Sequence, residues 1–191
     1  MTEETRDQIE RDLLSPLADP VVTELYKNLE VGGKAAQDFI SAVLGECGLE
    51  FGKIVRLSPQ RKLSHVDSRS FYVDVYAESD AGVTVIYEVQ LYFDKSFVDR
   101  TVLQTSYFFA EKMEPGIKTT ELSDKAPTIY VISILGDERN CRTSNKELLQ
   151  PYYITSQKKP PELATRHFGL FYVQLPYLPL AKADYANKFY C

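Results

Sequence analysis

Two stretches of the chain alternate with a period of two. In Phe71–Glu78, apolar Phe71, Val73, Val75 and Ala77 interleave with Tyr72, Asp74, Tyr76 and Glu78. In Val83–Tyr92, apolar Val83, Val85, Tyr87, Val89 and Leu91 interleave with Thr84, Ile86, Glu88 and Gln90. Strand side chains point to opposite faces in turn, so each stretch predicts a β-strand with an apolar odd face and a second face that carries polar groups. Asp80-Ala81-Gly82 between them suits a three-residue hairpin loop ending in a left-handed Gly. That loop sets Ser79 opposite Val83, so paired residue numbers sum to 162 and odd positions meet odd ones. A two-residue loop would set apolar positions opposite polar ones, since a one-residue slip inverts a strand's faces.

The rest of the pattern surrounds this hairpin. Asp19-Pro20 offers a capping side chain and a Pro suited to the first helical position, predicting a helix Pro20–Leu29 that stops before Gly32-Gly33. A second helix is expected over 34–46, with Ala36, Phe39, Ile40, Val43 and Leu44 at helical spacing and Gly45 and Gly48 at its end. Lys53–Leu57 reads as a short strand ended by Ser58-Pro59, and 60–69 as a polar loop. Phe97–Met113 reads as a helix and Thr128–Leu135 as a compact apolar strand. The polar stretch 136–166 gives no clear element. A last strand is expected over Phe168–Leu175, halted by Pro176 and Pro179. The order α-α-β-β-β-α-β with a further late strand predicts a mixed sheet with helices packed on it. Residues 1–18 read as an arm or short helix, 19–180 as one domain, and 181–191 as a tail.

Composition narrows the class. A chain of 191 residues, 44% hydrophobic, can bury a full core. No apolar run approaches the ~18 residues of a membrane span, so no membrane partner is expected. The acidic start, Met-Thr-Glu-Glu-Thr, does not resemble a secretory signal. Cys47, Cys141 and Cys191 are widely spaced and read as reduced thiols of a cytoplasmic protein. The net charge of -5 does not favour nonspecific nucleic-acid binding, which rests on neutralised phosphates. Lys53, Arg56, Arg61, Lys62 and Arg69 nevertheless concentrate positive charge, as a solvated loop face or a local patch. His65 and His167 have no ligand spacing and read as surface or hydrogen-bonded side chains.

The hairpin holds the candidate chemistry. In the expected register Asp74 lies opposite Glu88, with Gln90 diagonal to it on the same face. Like charges directly opposite repel, and a carboxylate pair partly shielded from water asks for a cation or a shared proton. A solvated face would leave the two acids without meaning, but Tyr72, Tyr76, Ile86 and Tyr92 fall on the same face and argue against open water. Oxygen donors favour a hard ion such as Mg²⁺.

This combination resembles the PD-(D/E)XK nuclease superfamily, with an acid on the second core strand (Asp74) and an acid-x-Lys pair on the third, here Glu88-Val-Gln90. More narrowly, the chain resembles the recombination-promoting nuclease and transposase family. The resemblance rests on Asp74-Val-Tyr-Ala, Val-Ile-Tyr-Glu88-Val-Gln90, Phe97-Val-Asp-Arg100, Pro127–Leu135 and Phe171-Tyr-Val-Gln-Leu-Pro176. It implies an α/β, restriction-endonuclease-like core (αβββαβ), a mixed central sheet flanked by helices, and a metal-dependent DNA endonuclease acting in transposition or recombination. Asp74, Glu88 and the Val89 carbonyl would bind Mg²⁺ or Mn²⁺. Gln90 would take the Lys position and orient the attacking water. Arg100 would contact a DNA phosphate, or else pair with Asp94 or Glu111. A further helix carboxylate is expected, with Asp19, Glu24 and Glu30 as candidates. The implied partner is double-stranded DNA, and a homo-oligomer is compatible with it. Two alternatives stay open at this point: a non-catalytic DNA- or protein-interaction module on the same fold, and a metal-free carboxylate-dyad hydrolase.

Overall fold

The computed structural model describes residues 26, 30–64, 70–90, 96–113, 115–136 and 146–178. Within them, helix α1 (Val31–Glu46) leads into three antiparallel strands, β1 (Ile54–Ser64), β2 (Ser70–Ser79) and β3 (Val83–Gln90). Helix α2 (Phe97–Lys112) follows, then the short helix α3 (Leu122–Lys125), β4 (Thr128–Leu135), β5 (Leu149–Tyr153) and β6 (Phe168–Gln174). The six strands form one mixed sheet in the order β1-β2-β3-β4-β6-β5. β4 lies parallel to both β3 and β6, while β5 is antiparallel to β6. The expected helix Pro20–Leu29 lies outside the described residues, Tyr26 apart.

The hairpin register agrees with the one expected from the loop. Val75 pairs with Tyr87, Tyr76 with Ile86, Ala77 with Val85 and Glu78 with Thr84. Gly82 adopts the left-handed φ of +74° that the loop requires, and its N–H donates to the Ser79 carbonyl.

Two faces follow from the alternation. On one, Ala36, Ile40, Val43 and Leu44 of α1 pack against Val75, Ala77, Val85, Tyr87 and Val89, and against Tyr130, Ile132, Phe171 and Val173 further across the sheet. On the other, Phe108 of α2 stacks on Tyr76 at 5.1 Å and joins Ile86, Ile129, Val131 and Leu170. At the far end of α2, Phe97 packs with Leu135 and Tyr172. At about 25 cal/mol per Å² of apolar surface removed from water, these two layers are the main stabilising contribution.

Three expectations are corrected. The helix expected over 34–46 begins earlier, at Val31, and takes Gly32 and Gly33 into its first turn, where the leading N–H groups need no helical partner. The strand ended by Ser58-Pro59 instead runs to Ser64, and 60–64 are strand rather than loop. β1 is an edge strand, where a Pro costs no ladder bond on its open side. The odd face of β2 is not continuous: Val75 belongs to the α1 side, but Val73 packs with Tyr76 and Ile86 on the α2 side. Past Val75, the pairing with β3 ends and β2 keeps β1 as its partner, Arg61 opposite Val73 and Ser64 opposite Ser70. Two-stranded ribbons twist more than wide sheets, and the added twist carries Val73 over to the other face.

Candidate functional site

The place where β2 leaves β3 is the place the two acids occupy. A regular ladder would continue from Val75–Tyr87 to Asp74–Glu88, but the pairing stops one step short. The Val89 N–H donates instead to the Asp74 carboxylate, Oδ2, at 2.8 Å. A side chain thus takes over a rung that the main chain no longer supplies. A backbone N–H given to a carboxylate is a charge-assisted bond, stronger than the ladder bond it replaces. It holds the Asp74 carboxylate against the Glu88–Val89 peptide.

Glu88 and Gln90 sit one pleat repeat apart on the α2 face, with Tyr87 and Val89 pointing to the α1 core. Glu88 is 7% exposed, and its neighbour across the parallel ladder is Ser133 of β4. Gln90 is half-buried. Its Oε1 accepts a hydrogen bond from Arg100 Nη2 at 3.0 Å, and its main-chain carbonyl accepts from Gly136 N at 3.2 Å. Arg100 belongs to the first turn of α2, and its guanidinium lies 5.5 Å from the centre of the Phe97 ring.

The structure therefore joins Asp74 to Val89 and Gln90 to Arg100, at the open end of one hairpin. It does not give Arg100 an ion pair with Glu111, which bonds Arg61 at 2.6 Å instead. Asp94 lies outside the described residues. So do Asp19 and Glu24, and Glu30 is exposed just before α1. Among the described residues no three His, Cys, Asp or Glu side chains gather into a metal-binding group.

The charge of Asp74 is felt on the α1 side. The Tyr87 phenol is pushed above its ordinary value by burial first, then by neighbouring Tyr26 and by the Asp74 carboxylate. Tyr26 and Tyr87 meet edge to face at 5.7 Å. A phenol so held stays protonated and is a donor, not a base.

The family model of the PD-(D/E)XK nuclease family transposases matches residues 28–189. The chain belongs to this nuclease and transposase family. No curated protein and no solved structure matches it. The mixed sheet between α1 and α2 is the restriction-endonuclease-like fold of the family.

PD-(D/E)XK nucleases generally use divalent metal ions. The Asp74 and Glu88 carboxylates and the Val89 carbonyl would suit one, since all are hard oxygens and the bond from Val89 N keeps Asp74 beside the residue that bears that carbonyl.

Some buried polar residues on the Glu88 side of the sheet were not visible as such in the sequence. Thr101, Gln104 and Thr105 are buried along α2 between its apolar anchors Phe97 and Phe108. Phe97 packs near the end of β4 at Leu135, and Phe108 near its start at Ile129 and Val131. The polar middle of α2 therefore falls near the level of Ser133, beside Glu88. Thr101 and Thr105 donate to helix carbonyls at Phe97 and Thr101. The Ser133 hydroxyl is fully buried and has no hydrogen-bond partner among the described residues. The one available signal was a serine inside the otherwise apolar run Ile-Tyr-Val-Ile-Ser133-Ile-Leu.

Of the basic stretch, Arg56 and Arg61 are tied to neighbouring side chains, Lys53 is exposed, and the Lys62 side chain and Arg69 lie outside the described residues. Arg61 stacks over Tyr76 at 4.1 Å and pairs with Glu111, while Arg56 lies 3.6 Å from Glu78. Lys112 also pairs with Glu78. These cations tie β1 and β2 to the end of α2. His167 takes the hydrogen-bonded role, 3.1 Å from the Thr128 hydroxyl. Cys47 shares a hydrogen bond with Tyr153, and its thiol is pushed up by burial. Among the described residues no helix is long and apolar enough to cross a membrane.

Proposed function

We propose that the chain is a metal-dependent endodeoxyribonuclease that hydrolyses phosphodiester bonds of double-stranded DNA in transposition or recombination. The observation that carries this reading is the Val89 N–H given to Asp74 where β2 parts from β3. It brings the first acid onto the peptide that bears the second, and no other place in the described fold joins an acid of β2 to β3 in this way.

Asp74, Glu88 and the Val89 carbonyl would hold Mg²⁺ or Mn²⁺. When bound, such an ion polarises the phosphate and makes a water acidic enough to attack at neutral pH. The protein's part is to place the donors and the substrate. Burial of Glu88 raises the cost of leaving its charge unmatched, which favours a cation beside it. Gln90 presents an amide to the reacting oxygens, in the position where relatives carry Lys. It carries no charge and titrates nowhere near neutral pH, so it acts by hydrogen bonding alone. Arg100 donates to the oxygen of that amide. DNA cleavage and reduced cysteines together go with a cytoplasmic protein.

The test is nicking of supercoiled plasmid. With Mg²⁺ or Mn²⁺ the wild type is expected to nick, and a chelator to stop it. Asp74→Ala and Glu88→Ala should each lower the rate at least 100-fold while the proteins remain folded by circular dichroism. No cleavage with either ion, on linear, supercoiled or branched duplexes, overturns the enzyme reading. DNA binding that ignores chelator would then support an interaction module.

A further inference from the structure

We propose that Arg100 is the positioning residue of Gln90: it fixes which end of the amide faces the site, and it sets beside that amide the positive charge that glutamine lacks. This rests on the nuclease reading above and goes beyond a DNA contact for Arg100.

Arginine has donors and no acceptor. The atom of Gln90 that meets Arg100 Nη2 at 3.0 Å must therefore be the carbonyl oxygen, Oε1. The two ends of an amide are opposed, so Nε2 is the end turned away from the guanidinium. The amide is then set to donate. It can give a hydrogen bond to a phosphate oxygen or to the lone pair of a water, and it is badly placed to take a proton's hydrogen bond. Arg100 polarises the same amide by drawing on its oxygen, which makes the N–H a better donor.

Both partners are held from outside the pair. The Gln90 main chain is fixed by Gly136 N on its carbonyl and, one residue back, by the Asp74 bond to Val89 N. Arg100 is in the first turn of a sixteen-residue helix, with its main-chain N–H donated to Ser96 at 2.8 Å. Its guanidinium rests near Phe97, which is itself buried with Leu135 and Tyr172. A contact between two anchored groups loses little entropy on forming, which suits a positioning role. The pair also joins β3 to α2, so the charge sits beside Gln90, one pleat repeat along the strand from Glu88.

The experiment compares four full-length proteins: wild type, Arg100→Met, Gln90→Lys and the double variant. Met keeps much of the stem over Phe97 without the charge. Urea unfolding of the metal-free proteins is the first readout. In the wild-type background Arg100→Met should lower the unfolding equilibrium toward the denatured state by about 3- to 10-fold. In the Gln90→Lys background the same change should be neutral or stabilising, because it removes a like-charge neighbour. Single-turnover cleavage of duplex DNA at saturating protein is the second readout. Arg100→Met should slow the wild type about 100-fold with little change in DNA affinity. In the Gln90→Lys background it should slow cleavage less than about threefold, because the introduced ammonium carries its own charge.

Equal losses in both backgrounds, or a loss confined to DNA affinity, would make Arg100 a plain DNA contact and overturn the proposal. If none of the four proteins cleaves, the nuclease reading falls. The unfolding cycle still decides the pairing in that case, and identical stability effects in the two backgrounds overturn it.

Discussion

At the scale of single residues, the hairpin register was legible: period-two alternation and a three-residue loop put Asp74 on β2 and Glu88 and Gln90 on the adjacent β3. The bond from Val89 N to Asp74 was not legible. It depends on where the ladder ends, and that is set by the twist of β1 and β2 beyond Val75 rather than by the residues at the site. Arg100 was singled out, but its partner was not, because Gln90 and Arg100 are joined only once α2 has docked on the sheet. The same docking builds a second group of charges. Glu78 bonds Lys112 and Tyr76, with Arg56 nearby. Burial alone would raise the Glu78 carboxyl, yet these donors and cations outweigh it and hold it below its ordinary value. For Lys112, burial pulls down and its bonds to Glu78 and Tyr76 push up, leaving it raised. The sign for Glu78 is that of a depressed acid: the stabilisation is full above the unfolded carboxyl value of about 4.3 and fades as pH falls through the lower folded value. The raised Lys112 contributes stabilisation that is full below about 10.4 and lost as pH climbs through its folded value. Both side chains keep some water contact, 22% and 23% exposed, so the pair is worth only about 1 kcal/mol. Wild type should therefore melt about 2–4 °C above Glu78→Gln at pH 7, and the gap should close as pH falls through the lowered Glu78 value. A gap unchanged by acid would contradict the assignment.

At the scale of elements, the strands and helices that carry strong periodicity emerged close to their expected bounds. Thr128–Leu135 is β4 without change, and Phe97–Lys112 ends one residue before the expected Met113. The errors fell where a local signal competes with tertiary context. Pro59 reads as a stop, but an edge strand tolerates it. β5 was hidden because its residues Leu149–Tyr153 are only partly buried and carry no clear alternation, and it exists by pairing with β6. The entry to β1 is fixed by side chains distant in sequence. Gln37 of α1 donates to the Gly52 carbonyl and accepts from Ile54 N, both at 2.7 Å. Asp80 of the hairpin turn accepts from Lys53 N at 2.8 Å. Gly52 threads between them with φ of +87°, and an added Cβ would run into Asp80 Oδ1. Gly52→Ala is expected to destabilise the protein by about 2–3 kcal/mol in urea unfolding, from left-handed strain plus loss of the Asp80 bond. Stability within 0.5 kcal/mol of wild type, taken as the ordinary range of surface substitutions, would show that the loop is not clamped as described.

At the scale of the whole molecule, one sheet divides two cores, and the candidate site lies where that sheet splits. The α1 side is apolar throughout the middle of the sheet, while the α2 side passes from apolar at Tyr76 and Phe108 to polar at Glu88, Ser133 and Gln90. Fold class was readable from the order of elements because a mixed sheet with helical crossovers is among few solutions open to that order. The net charge of -5 does not favour holding DNA by bulk electrostatics, and two cations of the basic stretch, Arg56 and Arg61, are tied to Tyr76, Glu78 and Glu111. In the proposed site a divalent ion would reverse the local sign of two carboxylates. The account stands or falls on that ion. Calorimetric titration of Mn²⁺ into wild type, Asp74→Asn and Glu88→Gln measures it most directly. Wild type is expected to bind and each variant to lose at least tenfold in affinity, with melting temperatures within a few degrees. Equal affinity in all three proteins, or none in wild type, would contradict it.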